Sequence, residues 1–483
     1  MVSGVGDEFH GGVVQRVARS AAFCFAVAAV VAGLTTPPLR AQQPSWLEPY
    51  VAPAARLVAA ATEDTFAWQR LAELTDTVGH RLSGSPQLDQ AIEWAVSEMK
   101  RDGLENVHTE GVRVPRWVRG RESAEIVRPA RHPLAMLGLG DSVGTPPGGI
   151  QADVLVVRSF DEFERKASQA RGRIVLFNVP FSNYGATRPI RSSGPSRAAS
   201  QGAVAVLVRS IAPAGQRLPH TGALTYAKGV AKIPAAAIAS EDADRLQRMS
   251  DRGERIVVRL HMDAHFDADV MSANVVGELR GRERPEEVVV VGGHLDSWDV
   301  GAGASDDGGG CIVTWDALRL MKKLDLRPRR TVRVVLFTNE ENGTRGGQGY
   351  RDQHRAELAN HVMMMESDSG VFRPVGFGFS GSDVARNTVK TIATLLSGIA
   401  ADQVSGGGGG ADIAASVQEG HIPAMSLDVD GTKYFLIHHT NADTIDKIDP
   451  VEMAKCAAAI SVMAYVVADL PQRLGDRTGI LLP

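Results

Sequence analysis

The fold and the chemistry of this chain are decided by residues 292–310, GGHLDSWDVGAGASDDGGG. This segment follows the apolar run EEVVVV, and it holds four aspartates and one histidine but no lysine or arginine. Carboxylates gathered at the end of a buried strand repel one another unless a cation lies among them. The segment therefore predicts a buried strand that ends at a cation-binding site.

From about residue 272 onward, near-continuous apolar strands alternate with amphipathic helices. The predicted strands are ANVVGELRG, EEVVVVGGHLD, TVRVVLFTNEE, HVMMMESD and IPAMSLDVD. The predicted helices are GCIVTWDALRLMKKL, GSDVARNTVKTIATLLSG and VEMAKCAAAISVMAYVVADL. This alternation is typical of an α/β sheet covered by helices on both faces. In such sheets the ligand site lies beyond the carboxyl ends of the strands.

Three of these strands and one later loop end in carboxylate or imidazole groups. The groups are His294 with Asp296, Glu340 with Glu341, Glu366 with Asp368, and, in the loop HHTNADT, His438, His439 and Asp443. Oxygen and imidazole ligands without thiolate suit Zn²⁺, and they suit Mn²⁺ or Co²⁺ less well. Because the carboxylates are numerous, the pattern favours two ions held close together.

The rest of the chain falls into two further segments. Residues 54–112 are predicted to form a helix, a polar turn and a second helix that stops near Gly103. Over residues 115–265, short β-like runs alternate with loops rich in Pro, Gly and Ser and with short helices. We expect this block to be a β-rich domain inserted into a catalytic domain made of residues 42–114 and 266–483.

The N-terminus has the pattern of a secretory signal. Arg16 and Arg19 precede SAAFCFAVAAVVAGL, and a small-residue exit follows, which predicts a signal peptide over residues 1–41. The alternative is an uncleaved membrane anchor. After cleavage, we expect a soluble exported protein, periplasmic or extracellular, with no stable membrane association.

Composition narrows the possible partners. The chain has 483 residues, a net charge of −4 and a pI near 6.4, so no basic excess favours nucleic acid. A peptide or small molecule is the expected partner. Three cysteines are too few for a disulfide framework or a cysteine-based zinc site. Cys311 and Cys456 are expected to be buried thiols.

The motifs GGHLDSWDVGAGASDDGGG, FTNEENG, MESD and HHTNADT, in this order, resemble the metal motifs of the M28 zinc peptidases. Other segments resemble the same family, among them GHRLSGSPQLDQAIEW, VPRWVRGRESAEI and PHTGALTY. The resemblance covers nearly all of residues 50–470. It implies a phosphorylase/hydrolase-like mixed sheet flanked by helices, a protease-associated-like insert and a two-zinc exopeptidase that is often a homodimer.

The resemblance also implies a role for each site residue. By the resemblance, five residues match the family's metal ligands: His294, Asp306, Glu341, Asp368 and His439. Asp306 would bridge both zinc ions, His294 and Asp368 would complete one, and Glu341 and His439 the other. Two catalytic residues are carried over with them: Glu340 as general base and Asp296 as the group that holds the His294 imidazole in the correct tautomer.

Several neighbours of these residues have more than one interpretation. His438 competes with His439 as a ligand, and Glu366 is left out of the ligand set. Asp443 either orients His439 or closes a turn. The remaining candidates are Asp299 and Asp307 as turn or N-cap residues, Arg81 and Ser85 as braces of the site, and residues 405–412 (SGGGGGAD) as a linker or a substrate loop.

The expected activity is hydrolysis of short peptides, and we favour dipeptides with free termini. One alternative is an aminopeptidase that trims longer peptides with the same chemistry. A metal-free binding protein on this fold is a third possibility, although every ligand position is filled. A serine hydrolase is disfavoured because no G-x-S-x-G motif follows a predicted strand.

Overall fold

A computed structural model describes residues 44–213 and 215–475 of the chain. The predicted signal peptide, residues 1–41, lies outside these residues. The strands are β1 (Glu105–Val114), β2 (Trp117–Val118), β3 (Glu122–Arg128), β4 (His132–Leu134), β5 (Met136–Gly138), β6 (Ile150–Val157), β7 (Ile174–Phe177), β8 (Ala205–Arg209), β9 (Ala235–Ile238), β10 (Val257–Met262), β11 (His265–Phe266), β12 (Val270–Leu279), β13 (Arg284–His294), β14 (Arg330–Phe337), β15 (His361–Glu366), β16 (Pro374–Ser380), β17 (Gln403–Gly406) and β18 (Ala424–Val429).

The α-helices alternate with these strands, and short 3₁₀ turns connect several of them. The helices are α1 (Glu48–Thr62), α2 (Phe66–Thr77), α3 (Pro86–Arg101), α4 (Phe160–Arg165), α5 (Tyr184–Ser200), α6 (Ser240–Asp251), α7 (Gly309–Lys323), α8 (Arg345–Gln353), α9 (Asp383–Ala393), α10 (Ala414–Gly420), α11 (Tyr434–Ile437) and α12 (Pro450–Asp469).

The first sheet has the order β1-β12-β14-β13-β15-β18-β16-β17. The strands β14, β13, β15 and β18 are parallel to one another, and β12 runs antiparallel to both β1 and β14. Strand β16 runs antiparallel to β18 and parallel to β17. Alternate valines of β13 enter opposite cores: Val289 and Val291 pack with α1, α7 and α12, and Val288 and Val290 pack with α8. The predicted mixed α/β sheet flanked by helices is confirmed.

A second sheet is built from residues 122–262, in the order β4-β3-β10-β6-β7-β8-β9-β5. It has hydrophobic clusters of its own, and one of them also includes Trp298 of the 292–310 segment. The independent inserted domain over residues 115–265 stays a prediction. The segment begins and ends at the first sheet, because Val114 of β1 pairs with Val270 of β12.

Helix α5 lies where the sequence pattern predicts loops and short helices. Asn183 caps it, accepting a hydrogen bond from the Ala186 N–H at 2.9 Å, and Pro189 and Pro195 lie inside it. Each proline removes its own N–H from the helical ladder and crowds the carbonyl group four residues earlier. Contacts with β7 and β8 hold the helix in place. This helix supplies one wall of the cleft described below.

Helix α12 is long and apolar enough to cross a membrane by length and composition alone. Most of it is buried against α1, α7 and the first sheet, as expected for the core helix of a folded domain. Cys456 on this helix and Cys311 on α7 are both buried free thiols, as the sequence indicates.

Candidate metal centre

The site residues converge because parallel strands end at one edge of the first sheet. His294 closes β13 and lies opposite Phe337, the last residue of the neighbouring β14. Glu340 and Glu341 lie three and four residues after the end of β14. On the other side of β13, strand β15 ends at Glu366, and Asp368 comes two residues later. Three separate stretches of sequence thereby reach one point in space.

Two groups of possible metal ligands share Asp306. In the first, His294 Nε2 lies 3.2 Å from Asp306 Oδ1 and 3.4 Å from Asp368 Oδ1. In the second, His439 Nε2 lies 3.1 Å from Asp306 Oδ2 and 3.0 Å from Glu341 Oε2. The two oxygens of one carboxylate therefore face two different groups, which is the arrangement required of a bridging ligand.

The charges in this site are unbalanced. Burial raises the pKa of Glu340 well above its usual range, and the carboxylates of Asp368 and Glu341 raise it further. Burial also raises the pKa of Glu341, to about 7, and Asp306 adds to the shift. Burial lowers the pKa of His294, but Asp306 and Asp368 outweigh it and raise that pKa well above its usual value. The carboxylates thus exceed the cations available to neutralise them.

The residues present suit a metal ion. His294 Nε2 and Asp306 Oδ2 are buried, and neither makes a hydrogen bond within the described chain. Burying such polar atoms without partners is costly. Each group offers imidazole nitrogen and carboxylate oxygen, the donor types that zinc accepts when no thiolate is present.

Asp296 contacts the site through its side chain and its main chain. The carboxylate accepts hydrogen bonds from the N–H groups of Glu340 and Glu341, at 3.1 and 3.3 Å, and from Ser83 Oγ at 3.1 Å. His294 Nδ1 lies 2.9 Å from the Asp296 main-chain oxygen, but 3.7 Å from its carboxylate. The carboxylate therefore fixes the Glu340–Glu341 turn, while the main-chain oxygen is the nearer partner of the imidazole.

Two other aspartates hold the backbone around the ligands. Asp307 accepts the N–H groups of His294 and Gly310, at 3.0 and 3.2 Å. Asp443 accepts those of Ser305 and Asp306, at 2.7 and 3.0 Å, and burial raises its pKa to about 7. Asp443 thus positions the shared carboxylate of Asp306 rather than the ring of His439.

The 292–310 segment is also held by two arginines. Arg81 is fully buried and donates to the carbonyl oxygens of Gly79, Leu295, Ala302 and Gly303, at 2.7 to 2.9 Å. The Arg81 guanidinium therefore holds the loop through main-chain hydrogen bonds and forms no ion pair with the site carboxylates. Arg119, from the segment that follows β2, forms a two-point ion pair with Asp299. Ser85 instead caps helix α3.

Glu366 has a structural contact that its position in the strand does not reveal. Its Oε2 accepts the N–H groups of Asp412 and Ile413, both at 3.1 Å, and so fastens the end of the glycine loop to β15. A Cβ at Gly410 would lie 2.2 Å from the Glu366 carboxyl carbon, so a side chain cannot fit there without displacement. The end of the 405–412 segment is therefore a packed loop rather than a free linker.

His438 and His439 both reach Asp306. His438 Nε2 lies 3.2 Å from Asp306 Oδ2, and its Nδ1 lies 2.9 Å from Nε2 of His220. Only His439 also contacts Glu341, which favours it as the ligand. Burial lowers the pKa of both His438 and His220 well below the usual value, which keeps both rings neutral. His220 is a site residue that the sequence analysis missed, although its motif PHTGALTY had been noted.

The candidate ligands face a cleft of about 870 Å³, within the range of small-molecule sites. One wall is the edge of the first sheet and carries Asp306, Glu340, Glu341 and Asp368. The opposite wall comes from the segment between β1 and β12 and carries Tyr184, Arg188, Arg191, Ser192, Ala223 and Thr225. The sequence analysis did not identify this second wall.

Comparison with known proteins agrees with this geometry. The profile of "Peptidase family M28" matches residues 274–464. Carboxypeptidase Q of Mus musculus is 49% identical over 407 residues, which are 84% of this chain and 86% of that protein. Carboxypeptidase Q of Homo sapiens is 48% identical over 407 residues, which are again 84% of this chain and 86% of that protein.

Solved structures extend the comparison to the whole fold. A peptidase M28 precursor from Shewanella amazonensis SB2B has a TM-score of 0.85 at 34% identity, covering 88% of this chain and 98% of its own. BSAP, a zinc aminopeptidase from Bacillus subtilis, has a TM-score of 0.63 at 19% identity, covering 84% of this chain and 98% of its own. The second likeness concerns the fold alone.

The resemblance expected from the motifs is thus confirmed, and it extends to carboxypeptidase Q. The enzyme class expected from the sequence, a metallopeptidase of the exopeptidase type, is confirmed as well. This chain belongs to peptidase family M28.

Proposed function

We propose that the chain is an exported dizinc exopeptidase that hydrolyses short peptides, dipeptides with free termini above all. The observation that carries the proposal is the shared carboxylate of Asp306, which faces His294 and Asp368 on one side and Glu341 and His439 on the other. These five residues are the proposed ligands of two zinc ions. The zinc aminopeptidase from Bacillus subtilis, which shares the fold, supports the choice of metal.

Zinc at such a site would polarise the peptide carbonyl and make the attacking water more acidic. The residues of the chain would do the rest. Glu340 lines the cleft, half-buried, and its backbone is held by the Asp296 carboxylate. Its carboxylate would take a proton from the attacking water and return it to the leaving amine. The neighbouring Glu341 faces His439 and would serve as ligand instead.

Two features support a short peptide as substrate. Residues of α5 and residues 223–225 form a wall across the cleft from the ligands, which limits how a long chain can enter. The relatives that match most of the chain carry the name carboxypeptidase Q. The alternative, an aminopeptidase acting on longer peptides, is favoured by fold neighbours of that activity.

Export is proposed from the N-terminal signal pattern, with cleavage after Ala41, and the homodimer from the family resemblance alone. N-terminal sequencing of the protein recovered from the periplasm or medium would test the first. Light scattering on the mature protein would test the second.

The central test compares the wild-type protein with Glu340→Gln. We expect both to bind two zinc ions per chain, measured by elemental analysis, and we expect only the wild type to hydrolyse dipeptides. A panel of dipeptides, N-blocked dipeptides and longer peptides then identifies the kind of exopeptidase. Hydrolysis by Glu340→Gln at the wild-type rate would contradict the assigned base, and hydrolysis that survives chelation would contradict the metal mechanism.

A further inference from the structure

Arg191 is a buried cation in the wall that faces the candidate metal centre. It lies on α5, is only 4% exposed, and lines the same cleft as Asp306, Glu340 and Glu341. Burying a guanidinium is costly unless an anion and a full set of acceptors surround it. The hydrogen-bond acceptors and carboxylates around Arg191 therefore show whether the side chain has only a structural role.

Most hydrogen-bond donors of Arg191 are unused. One N–H on Nη1 donates to the Thr221 carbonyl oxygen, and one on Nη2 donates to Tyr184 Oη, each at 3.0 Å. The Nε–H is buried and has no acceptor in the chain as described. A guanidinium has five N–H groups, so three of them remain without a protein acceptor. Among residues 44–213 and 215–475, no carboxylate lies within ion-pair distance of Arg191.

The other buried arginines near the site differ in this respect. Arg81 uses four of its N–H groups on carbonyl oxygens of the chain. Arg119 is paired with the carboxylate of Asp299. A residue that only braced the loop at Thr221 would be expected to use its donors in the manner of Arg81. Arg191 lines the cleft with three N–H groups that have no acceptor among the described residues.

Arg191 lies beside an aromatic ring and a second cation. Its guanidinium lies 5.5 Å from the centre of the Tyr184 ring, and that ring lies 5.2 Å from the ring of His438. Arg188, one turn earlier on α5, is exposed, lines the same cleft and has no ion-pair partner among the described residues. This wall therefore presents two cations towards the space that a bound peptide would occupy.

We propose that Arg191, with Arg188 beside it, forms a subsite for a carboxylate of the substrate. The inference rests on the proposed peptidase function and adds to it the group that recognises the substrate. The planar fork of a guanidinium binds a carboxylate through two parallel hydrogen bonds. The carboxylate comes either from the C-terminus of the peptide or from an acidic side chain.

The subsite lies close to the proposed point of cleavage. The Thr221 oxygen that accepts from Arg191 is also 3.3 Å from His439 Nδ1, and the Thr221 N–H donates to the His439 carbonyl at 3.0 Å. One residue thus separates Arg191 from a proposed metal ligand. The recognised carboxylate consequently belongs to a residue next to the scissile bond, which favours a dipeptide over a long chain.

The test uses the zinc-loaded full-length mature enzyme and matched substrates. These are a dipeptide, its C-terminal amide, and a pair that differs only in Glu against Gln at the C-terminal position. A charge-assisted pair of hydrogen bonds predicts that the wild type prefers the carboxylate-bearing substrate by about 10- to 100-fold in kcat/KM. If kcat/KM falls when the C-terminus is amidated, the recognised carboxylate is the C-terminus. If kcat/KM falls when Glu is replaced by Gln, the recognised carboxylate is the acidic side chain.

Substitution then assigns the preference to the wall. Arg191→Met is expected to lower kcat/KM for the preferred substrate by about 10- to 100-fold more than it lowers kcat/KM for the neutral analogue. Arg191→Lys should retain part of the preference, since the charge remains but the fork is lost. Arg188→Met, at an exposed position that tolerates change, should reduce the preference by a smaller factor. The control is Arg197→Met, an exposed arginine of the same helix outside the cleft.

Binding gives a second readout. Titration of the preferred dipeptide into Glu340→Gln and into Glu340→Gln/Arg188→Met should show weaker binding in the double variant, and the analogue that lacks the recognised carboxylate should bind both equally. If the wild type does not distinguish acid from neutral substrates, or if the arginine variants affect both alike, the subsite is wrong while the peptidase proposal stands. If the zinc-loaded wild type cleaves no peptide, the proposed function itself fails.

Discussion

The two walls of the cleft differ in charge and in origin. The edge of the first sheet carries the clustered carboxylates of the candidate metal centre. These residues lie between positions 294 and 443. The opposite wall carries Arg188 and Arg191 without carboxylate partners among the described residues, and it comes from helix α5 and residues 223–225. On the functions proposed above, reaction chemistry would lie in one segment and substrate selection in another.

The largest effect is expected from Asp306→Asn. The amide cannot serve both donor groups as a charged bridge, so both metal positions are weakened together. We expect dipeptide hydrolysis to fall by at least about 1,000-fold and the bound zinc to fall below two ions per chain. Activity and elemental analysis measure the two losses.

The control for this variant is Asp428→Asn. Asp428 also lines the cleft but belongs to neither donor group, and it accepts a hydrogen bond from Ser405. Its zinc content should equal that of the wild type. Equal zinc loss in both variants would mean that total negative charge, rather than the bridge, holds the metals.

A smaller effect is expected from Asp296→Asn. Its carboxylate holds the backbone of Glu340 and Glu341, and removing such a support typically costs about 10- to 100-fold in activity or metal affinity. Asp299→Asn, in the same segment but paired with Arg119, should affect thermal stability more than kcat. If the two variants had the same kcat, the aspartates of 292–310 would not have the separate roles described above.

Removal of zinc should make stability depend on pH. Burial raises the pKa of Glu341 and Asp443 to about 7, and Asp306 and Asp368 hold that of His294 well above its usual value. In each case the folded state binds protons more tightly than the unfolded chain, so stability falls as pH rises. The lowered pKa values of His438 and His220 act in the opposite direction, but they are fewer than the groups whose pKa is raised. We therefore expect the Tm of the chelated protein to decrease from about pH 5 to about pH 8.

Zinc should reverse this trend, because it binds deprotonated ligands and stabilises the folded state by mass action. Calorimetry on the chelated and zinc-loaded proteins should therefore show curves that diverge as pH rises. Parallel curves would indicate that these groups do not bind the metal.

The smallest effect is expected from Gly410→Ala, where a Cβ would overlap the Glu366 carboxyl group. Overpacking of this kind costs about 1–3 kcal/mol in the free energy of unfolding. Gly406→Ala, with no atom within 4 Å of the added Cβ, is the matched control and should change stability little. Denaturant titration measures both. If Gly410→Ala is as stable as its control, the loop moves freely beside the sheet.

The sequence predicts the sheet, and it predicts that the proposed ligands lie at one edge of it, for a physical reason. His294, Glu341 and Asp368 each follow an apolar strand, and parallel strands must bring such ends to one edge. Arg191 and His220 could not be found in this way. Their positions depend on how the segment between β1 and β12 packs across the cleft, and RPIRSS within α5 has the composition of a loop. Hydrogen bonds to main-chain groups, as at Asp443, likewise leave no pattern in the sequence.

The pairing of Val114 with Val270 has a consequence for the order of folding. During synthesis, strand β1 leaves the ribosome well before its partner β12, and the whole intervening segment emerges between them. Closing so long a loop carries an entropic cost, which falls if the intervening segment has already folded with its ends together. A defect in that segment, however far from the metal ligands, would therefore delay completion of the first sheet and leave the unpaired edges of both strands exposed to aggregation.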